Sequence, residues 1–224
     1  MDSGNIGFVL LCAAFVFVMT PGLAMFYGGL VRKKNVVNTM MTSIFIIGIG
    51  IVMWVLFGYS LSFAPSGNAF IGDFRWLGLE GVSLTEGYTD DASIPNMVFS
   101  AFQMMFAVIT PALITGAVAG RMKFKSIFVF TIFWSLIVYY PLAHMVWGQG
   151  GLLGADGIGA LDFAGGDVVH ISSGVSALVL CILLGKRHDY EHSIYRIHNI
   201  PTVVLGASLL MFGWFGFNAG SAFA

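Results

Sequence analysis

Long apolar stretches alternate with shorter polar segments along the 224 residues of the chain. Each apolar stretch holds the roughly 20 residues that a helix needs to cross the hydrocarbon core of a bilayer. The pattern therefore predicts an all-α fold, a polytopic membrane helix bundle that occupies residues 1–224 as one transmembrane domain. The predicted spans are about Gly7–Val31, Val36–Phe63, Ile94–Gly120, Ile127–Val146, Val168–Leu184 and Val203–Ala224.

Composition supports this class and argues against a soluble or nucleic-acid-binding protein. Hydrophobic residues make up 58% of the chain and charged residues 9%, whereas soluble domains are about a quarter charged. Glycine pairs at a spacing of four, Gly116 with Gly120 and Gly216 with Gly220, favour close helix contacts. The spacing of the two cysteines indicates no metal site, and we expect no cofactor.

The charged residues are divided sharply between alternate loops. The loops after the first, third and fifth spans are basic, and the loops after the second and fourth are acidic. Because basic loops favour the cytoplasmic side, we expect the N-terminus outside and a location in the cell membrane. The basic residues of the first group are Arg32, Lys33, Lys34, Arg121, Lys123, Lys125, Lys186, Arg187 and Arg196. The acidic residues of the second group are Asp73, Glu80, Glu86, Asp90, Asp91, Asp156, Asp162 and Asp167.

A histidine, His170, lies inside the fifth predicted span. An ionisable side chain at membrane depth is expensive and by default marks a route for substrate, ions or protons. A neutral imidazole offers one donor and one acceptor, which suits a small molecule such as ammonia or water. The alternative is a hydrogen-bonded histidine with a purely structural role.

Aromatic residues at helical spacing mark the third and fourth spans. Phe99, Phe102 and Phe106 recur at intervals of three and four and share one helical face. The ordinary interpretation is packing, and the alternative is a hydrophobic gate or a set of π faces offered to a cation. Trp147 ends the fourth span, either as an interfacial belt residue or as a cation-binding ring.

Polar residues near the ends of the last three spans have two interpretations each. Asp162, just before the fifth span, can cap backbone N–H groups or attract a cation. Ser221, at the end of the sixth, can bond near Trp147 if these two ends meet. The sequence leaves the role of His144 open.

Five segments of the chain resemble the ammonium transporter (Amt) family, which is related more distantly to the Rh proteins. They cover essentially the whole chain in order. The segments are MTPGLAMFYGGLVRKKN, FQMMFAVITPALITGAVAGR, PLAHMVWGQGGLL, GALDFAGGDVVHI and GWFGFNAGSA.

The resemblance implies roles that spacing does not show. Phe102, Trp147 and Ser221 match the family's outer ammonium-recruitment site, and Phe106 and Phe217 match its phenylalanine gate. The presence of the tryptophan favours Amt over Rh.

Two further positions match residues of the family's conduction pathway. Asp162 matches an acid essential for activity, and His170 matches the first of twin pore histidines. The second histidine belongs to a later span and has no counterpart here.

The family fold is an inverted repeat of five plus five helices, usually with an eleventh, assembled as a homotrimer. The chain matches the first repeat and one helix of the second, so we expect an N-terminal partial sequence of a longer transporter. The resemblance also implies that a P-II-type regulatory protein docks on the cytoplasmic loops.

The function expected from the residues and the resemblance is ammonium uptake across the membrane. The alternative is a sensing domain that binds ammonium and signals to an attached output domain. An enzyme with His170 as general base is disfavoured because no second catalytic group lies at depth.

Overall fold

The computed structural model describes residues 1–65, 68–155, 157–187, 190 and 194–223. Within these residues the chain forms helices and loops and no strand, and six helices are long and apolar enough to cross a membrane. All six predicted spans are confirmed, with ends that differ by a few residues. The helices are α1 (Ser3–Leu30), α2 (Lys33–Phe63), α3 (Asn96–Val118), α4 (Phe124–Trp147), α5 (Gly166–Leu184) and α6 (Ile200–Gly220).

Three of the spans contain a π-helical turn. These turns are Trp54–Gly58 in α2, Ser135–Tyr139 in α4 and Gly166–Ile171 at the start of α5. A π turn widens the helix locally and is often found at functional sites. The turn in α5 is the one that carries His170.

The loops after α1, α3 and α5 meet at one end of the bundle, which we call the basic end. There the guanidinium of Arg121 donates to the carbonyl of Gly185 at 2.9 Å, and the N–H of Asn199 donates to that of Gly29 at 3.1 Å. The loops after α2 and α4 and the N-terminus lie at the other, acidic end. The alternation of charge along the sequence therefore becomes a separation of charge in space.

The central helix is α3, which is buried along most of its length. In contrast, α5 and α6 have long exposed apolar faces, with Leu178 and Leu183 on one helix and Met211 and Phe215 on the other. An apolar face of this kind suits a lipid or protein neighbour rather than water.

Close packing of α1 against α6 depends on glycines. A Cβ atom on Gly206 would lie 2.6 Å from the carbonyl oxygen of Gly22 and 2.8 Å from the Cα atom of Phe26. At Gly216 a Cβ atom would lie 2.7 Å from the carbonyl oxygen of Cys12. The two backbones are in contact here, so only glycine fits.

The predicted glycine pairs are therefore confirmed in part. Gly216 and Gly220 both face α1, and a Cβ atom on Gly116 would meet the ring of Tyr27 at 2.5 Å. The expectation for Gly120 was wrong: it lies beyond the end of α3 at a φ of 71°, next to Asn35. Its positive φ terminates the helix, and the residue does not form part of the helix-packing face.

Gly206→Ala should destabilise the bundle, because the added methyl group meets backbone atoms that have no room to move. Overpacking of this kind costs about 1–3 kcal/mol. The measurement is the apparent melting temperature of the purified protein in detergent. Gly48→Ala is the matched control, since nothing lies within 4 Å of a Cβ atom there. Equal melting temperatures for the two variants would contradict the packing argument.

Candidate functional site

A cavity of about 550 Å³ opens at the acidic end of the bundle, and we call it the outer cavity. Its lining combines aromatic rings, Phe106 and Trp147, with the polar side chains Gln103 and Ser221. Asp91 lies at its rim, and no lysine or arginine of the described part of the chain lines it. The cavity is therefore suited to a small cation.

A second cavity of about 290 Å³ lies next to the first, and we call it the histidine groove. Its lining includes His170, Trp214, Phe217 and Asn218. These residues come from α5 and α6, so the groove runs between the two helices.

A phenylalanine ring from the lining of the outer cavity packs against one from the lining of the histidine groove. Phe106 lines the first and Phe217 lines the second, and their ring centroids are 4.3 Å apart at an interplanar angle of 33°. Both are almost fully buried, with 1% and 2% of their surface exposed. Trp147 stands edge-on to Phe106 with its centroid at 6.1 Å. The three rings therefore form one aromatic cluster beside both cavities, whose linings also share Asp162 and Phe163.

The carboxylate of Asp162 organises the start of α5. Its Oδ1 accepts from the N–H groups of Gly165 at 2.5 Å and Gly166 at 2.8 Å, and its Oδ2 accepts from Asp167 at 2.8 Å and Val168 at 2.9 Å. The free N–H groups of the first helical turn need such acceptors, and a negative charge there complements the helix dipole. The geometry is that of the helix cap which the sequence offered as one of two roles.

The same residue also fixes the tryptophan of the outer cavity. The indole N–H of Trp147 donates to the backbone carbonyl of Asp162 at 2.9 Å. The ring is therefore held by its polar edge, which leaves its apolar faces free for other contacts.

The imidazole of His170 is held by Gly165. Its Nδ1 lies 2.9 Å from the Gly165 carbonyl oxygen, an acceptor only, so the hydrogen is assigned to Nδ1 and Nε2 carries a lone pair in the neutral ring. The ring stacks on Trp214 at 5.4 Å and meets Phe217 edge-on at 5.9 Å. Gly165 has a φ of 103°, a conformation that favours glycine.

Ser221 faces the outer cavity as an acceptor. Its hydroxyl donates to the carbonyl of Phe217 at 2.8 Å, one turn earlier in α6, and the side chain is buried. With its hydrogen engaged, the oxygen retains a lone pair for a donor in the cavity.

Phe102 does not line the outer cavity. It has 0% exposure and lies behind the cavity lining, with its ring 5.0 Å from that of Phe106 and 5.6 Å from that of Phe223. The face of α3 that lines the cavity is Phe99, Gln103 and Phe106. Sequence reasoning missed the glutamine, although its spacing of four and three from these phenylalanines places it on the same face.

The role of His144, which the sequence left open, is structural. The side chain is fully buried, with Nδ1 at 3.1 Å from the carbonyl oxygen of Ser62 and Nε2 at 2.9 Å from that of Asn68. It ties α4 to the last turn of α2 and to the loop that follows. It does not line either cavity.

Tyr88 forms part of the wall of the outer cavity, stacked on Phe99 with centroids 4.8 Å apart. Burial raises the pKa of Tyr88 to about 12, although its hydroxyl accepts from the N–H of Gln149. The phenol is therefore neutral at physiological pH. Because the folded pKa is raised, its contribution to stability is complete below its ordinary value near 10 and is lost as the pH rises through about 12.

The described residues contain no group of three or more histidine, cysteine, aspartate or glutamate side chains that could hold a metal ion.

Comparison with known proteins gives one consistent family. The model of the Ammonium Transporter Family matches residues 7–224. An ammonium transporter of Bacillus subtilis (strain 168) is 53% identical over 222 residues, covering 99% of this chain and 53% of that protein. The chain spans about half the length of the curated relatives it matches.

Solved structures show the same fold. The crystal structure of Saccharomyces cerevisiae Mep2 aligns with a TM-score of 0.87 at 37% identity, covering 100% of this chain and 50% of that one. A structure described as a sensor Amt protein aligns with a TM-score of 0.83 at 30% identity, covering 98% of this chain and 55% of that one.

Asp162→Asn should loosen the start of α5 and weaken the hydrogen bond that positions Trp147. An amide nitrogen does not accept hydrogen bonds, so two of the four backbone donors lose their partner, at a cost of about 2 kcal/mol. The checks are the apparent melting temperature and the tryptophan fluorescence of the purified protein.

The matched control for this prediction is Asp167→Asn, which removes the same charge from the same helical turn but leaves the cap intact. Equal melting temperatures for Asp162→Asn and Asp167→Asn would show that the cap does not stabilise this turn.

Proposed function

The chain belongs to the ammonium transporter family, and on that basis we propose that the protein carries ammonium across the membrane through the outer cavity and the histidine groove. The observation that supports this most is the contact between Phe106, which lines the outer cavity, and Phe217, which lines the histidine groove. The outer cavity is suited to a cation, and the neighbouring groove holds an imidazole. Members of this family are transporters and not enzymes, so a general-base role for His170 is not pursued.

Recruitment takes place in the outer cavity. The volume of about 550 Å³ admits an ammonium ion with part of its hydration shell. The ring face of Trp147 attracts the cation, at about 0.5–2 kcal/mol depending on how far it is desolvated. The Ser221 oxygen accepts one of its N–H groups. Potassium is of similar size but donates no hydrogen bond, so this contact favours ammonium.

Passage beyond the phenylalanine pair requires loss of the charge. An unpaired cation between two buried phenylalanine rings is heavily penalised, whereas neutral ammonia is not. An N–H bond of ammonium breaks on the outer-cavity side, water there takes the proton, and ammonia passes the phenylalanine pair. The Nε2 lone pair of His170 receives a proton and passes it on, as one of the family's twin histidines.

Orientation follows from the separation of charge. Basic loops favour the cytoplasm, so the acidic end with the outer cavity faces outwards and transport runs inwards. In the complete assembly, which we propose to be a homotrimer, the basic end is the docking face for a P-II-type regulatory protein.

Sensing is the second candidate function. The similarity to the structure described as a sensor Amt protein supports it, because transporter and sensor share this helical fold. Both functions use the outer cavity, but only transport requires that the substrate pass the phenylalanine pair. A full-length gene product that binds ammonium and carries no ammonium-dependent current would favour sensing.

The test of the proposed function is ammonium-dependent current or internal pH change in liposomes that contain the full-length gene product. Trp147→Leu should raise the half-saturating ammonium concentration by roughly 2- to 30-fold, because it removes the aromatic face. Wild-type liposomes without any ammonium-dependent signal would contradict transport. An unchanged half-saturating concentration in Trp147→Leu would contradict the recruitment site.

His170→Ala should lower proton-coupled current roughly a hundredfold, because a positioned proton-transfer group is lost. Half-saturation should change little, since recruitment lies on the other side of the phenylalanine pair. His198→Ala is the control, because the backbone of His198 lies at the basic end, where it contacts Gly29. Unchanged current and proton coupling in His170→Ala would rule out the relay.

A further inference from the structure

A small polar cavity lies between α2, α3 and α4 near the basic end of the bundle, and we call it the threonine cavity. Its volume is about 10 Å³, and its lining includes Thr39 and Thr42 of α2, Thr115 of α3 and Ile127 of α4. A single water molecule needs about 10–15 Å³ of space open to its centre. The threonine cavity is therefore the size of one water molecule.

Thr39 carries a buried hydroxyl that has no hydrogen-bond partner among the described residues. Only 3% of the residue is exposed, and the unpaired atom is its Oγ1. Thr42, one turn later in the same helix, donates to the carbonyl of Asn38 at 2.7 Å, the usual bond of a threonine within a helix. A buried hydroxyl without a partner is destabilising, and native proteins normally satisfy it with a protein group or an ordered water.

The other two hydroxyls of the threonine cavity have lone pairs to offer. The hydrogen of Thr42 is engaged by the Asn38 carbonyl, so its oxygen is left as an acceptor. The hydrogen of Thr115 is engaged by the carbonyl of Ala112 at 2.7 Å. The hydroxyl of Ser43, at 3.1 Å, therefore donates to the oxygen of Thr115 and occupies one of its lone pairs. Since a hydroxyl oxygen has two lone pairs, one remains.

We propose that the threonine cavity binds one water molecule, which bridges α2 to α3. The water accepts from the hydroxyl of Thr39 and donates its two hydrogens to the oxygens of Thr42 and Thr115. Three hydrogen bonds are the number that a buried water typically makes. The unpaired hydroxyl of Thr39 then has a partner, which explains why it is tolerated in the interior.

The site lies at the basic end and away from the proposed transport route. Since α2 begins at Lys33 and a helix rises about 1.5 Å per residue, Thr39 lies roughly 9 Å inside that end. Thr115 comes shortly before the end of α3 at Val118. The water therefore connects the second turn of α2 to the last turn of α3. Neither the outer cavity nor the histidine groove shares a lining residue with it.

The first experiment measures the apparent melting temperature of Thr39→Val in the full-length gene product, purified in detergent. Valine has nearly the shape of threonine but no hydroxyl. With a bridging water bound, the substitution removes the only donor to that water and leaves it two partners. The melting temperature should therefore fall by roughly 2 °C, as expected for the loss of one hydrogen bond.

Thr20→Val is the matched control. Thr20 is buried as well, with 1% of its surface exposed and an Oγ1 without a partner among the described residues, but it does not line the threonine cavity. Replacing an unpaired buried hydroxyl with a methyl group removes a penalty, so this variant should melt at the wild-type temperature or above it. A Thr39→Val protein that also melts at or above the wild-type temperature would overturn the proposal.

The second experiment needs no variant and decides the matter even if Thr39→Val does not fold. A crystal structure of the full-length protein, at a resolution that shows ordered water, should contain a density peak about 2.5–3.0 Å from the hydroxyl oxygens of Thr39, Thr42 and Thr115. Density without this peak, or a Thr39 hydroxyl turned to the carbonyl of Asn35, would contradict the proposed site.

Discussion

The carboxylate of Asp162 is the constraint on which both halves of the site depend. It accepts four backbone N–H groups at the start of α5, and the carbonyl of the same residue receives the indole N–H of Trp147. The capped turn contains Gly165, whose carbonyl holds His170. One residue therefore sets the positions of both the tryptophan and the imidazole.

The second feature is the contact between two buried phenylalanine rings. Phe106 comes from α3 and Phe217 from α6, and their contact joins the most buried helix to one with a long exposed face. Glycine contacts between α1 and α6 fix where that second ring lies. Packing far from the cavity therefore sets the position of the Phe217 ring.

Much of the fold was predictable, because a bilayer imposes simple requirements on sequence. Helix length, low charge within the spans and alternating loop charge gave six spans and two ends of opposite charge. Residue types also indicated the chemistry. A histidine within a predicted membrane span is unusual, and a tryptophan at a membrane interface is informative by itself. The resemblance to the family then assigned roles to individual positions. The expectation for Gly120 failed because a glycine pair carries no information about where the helix ends.

The sequence by itself determined which segments cross the membrane, which loops share an end, and which polar side chains lie within the apolar part. Only the tertiary structure decided which face of α3 meets the outer cavity, so that Gln103 lines it while Phe102 lies behind. It also gave His144, whose role the sequence left open, a structural role through the carbonyls of Ser62 and Asn68. The physical reason is that the period of a helix fixes which residues share a face, whereas the neighbour of that face depends on packing between distant segments.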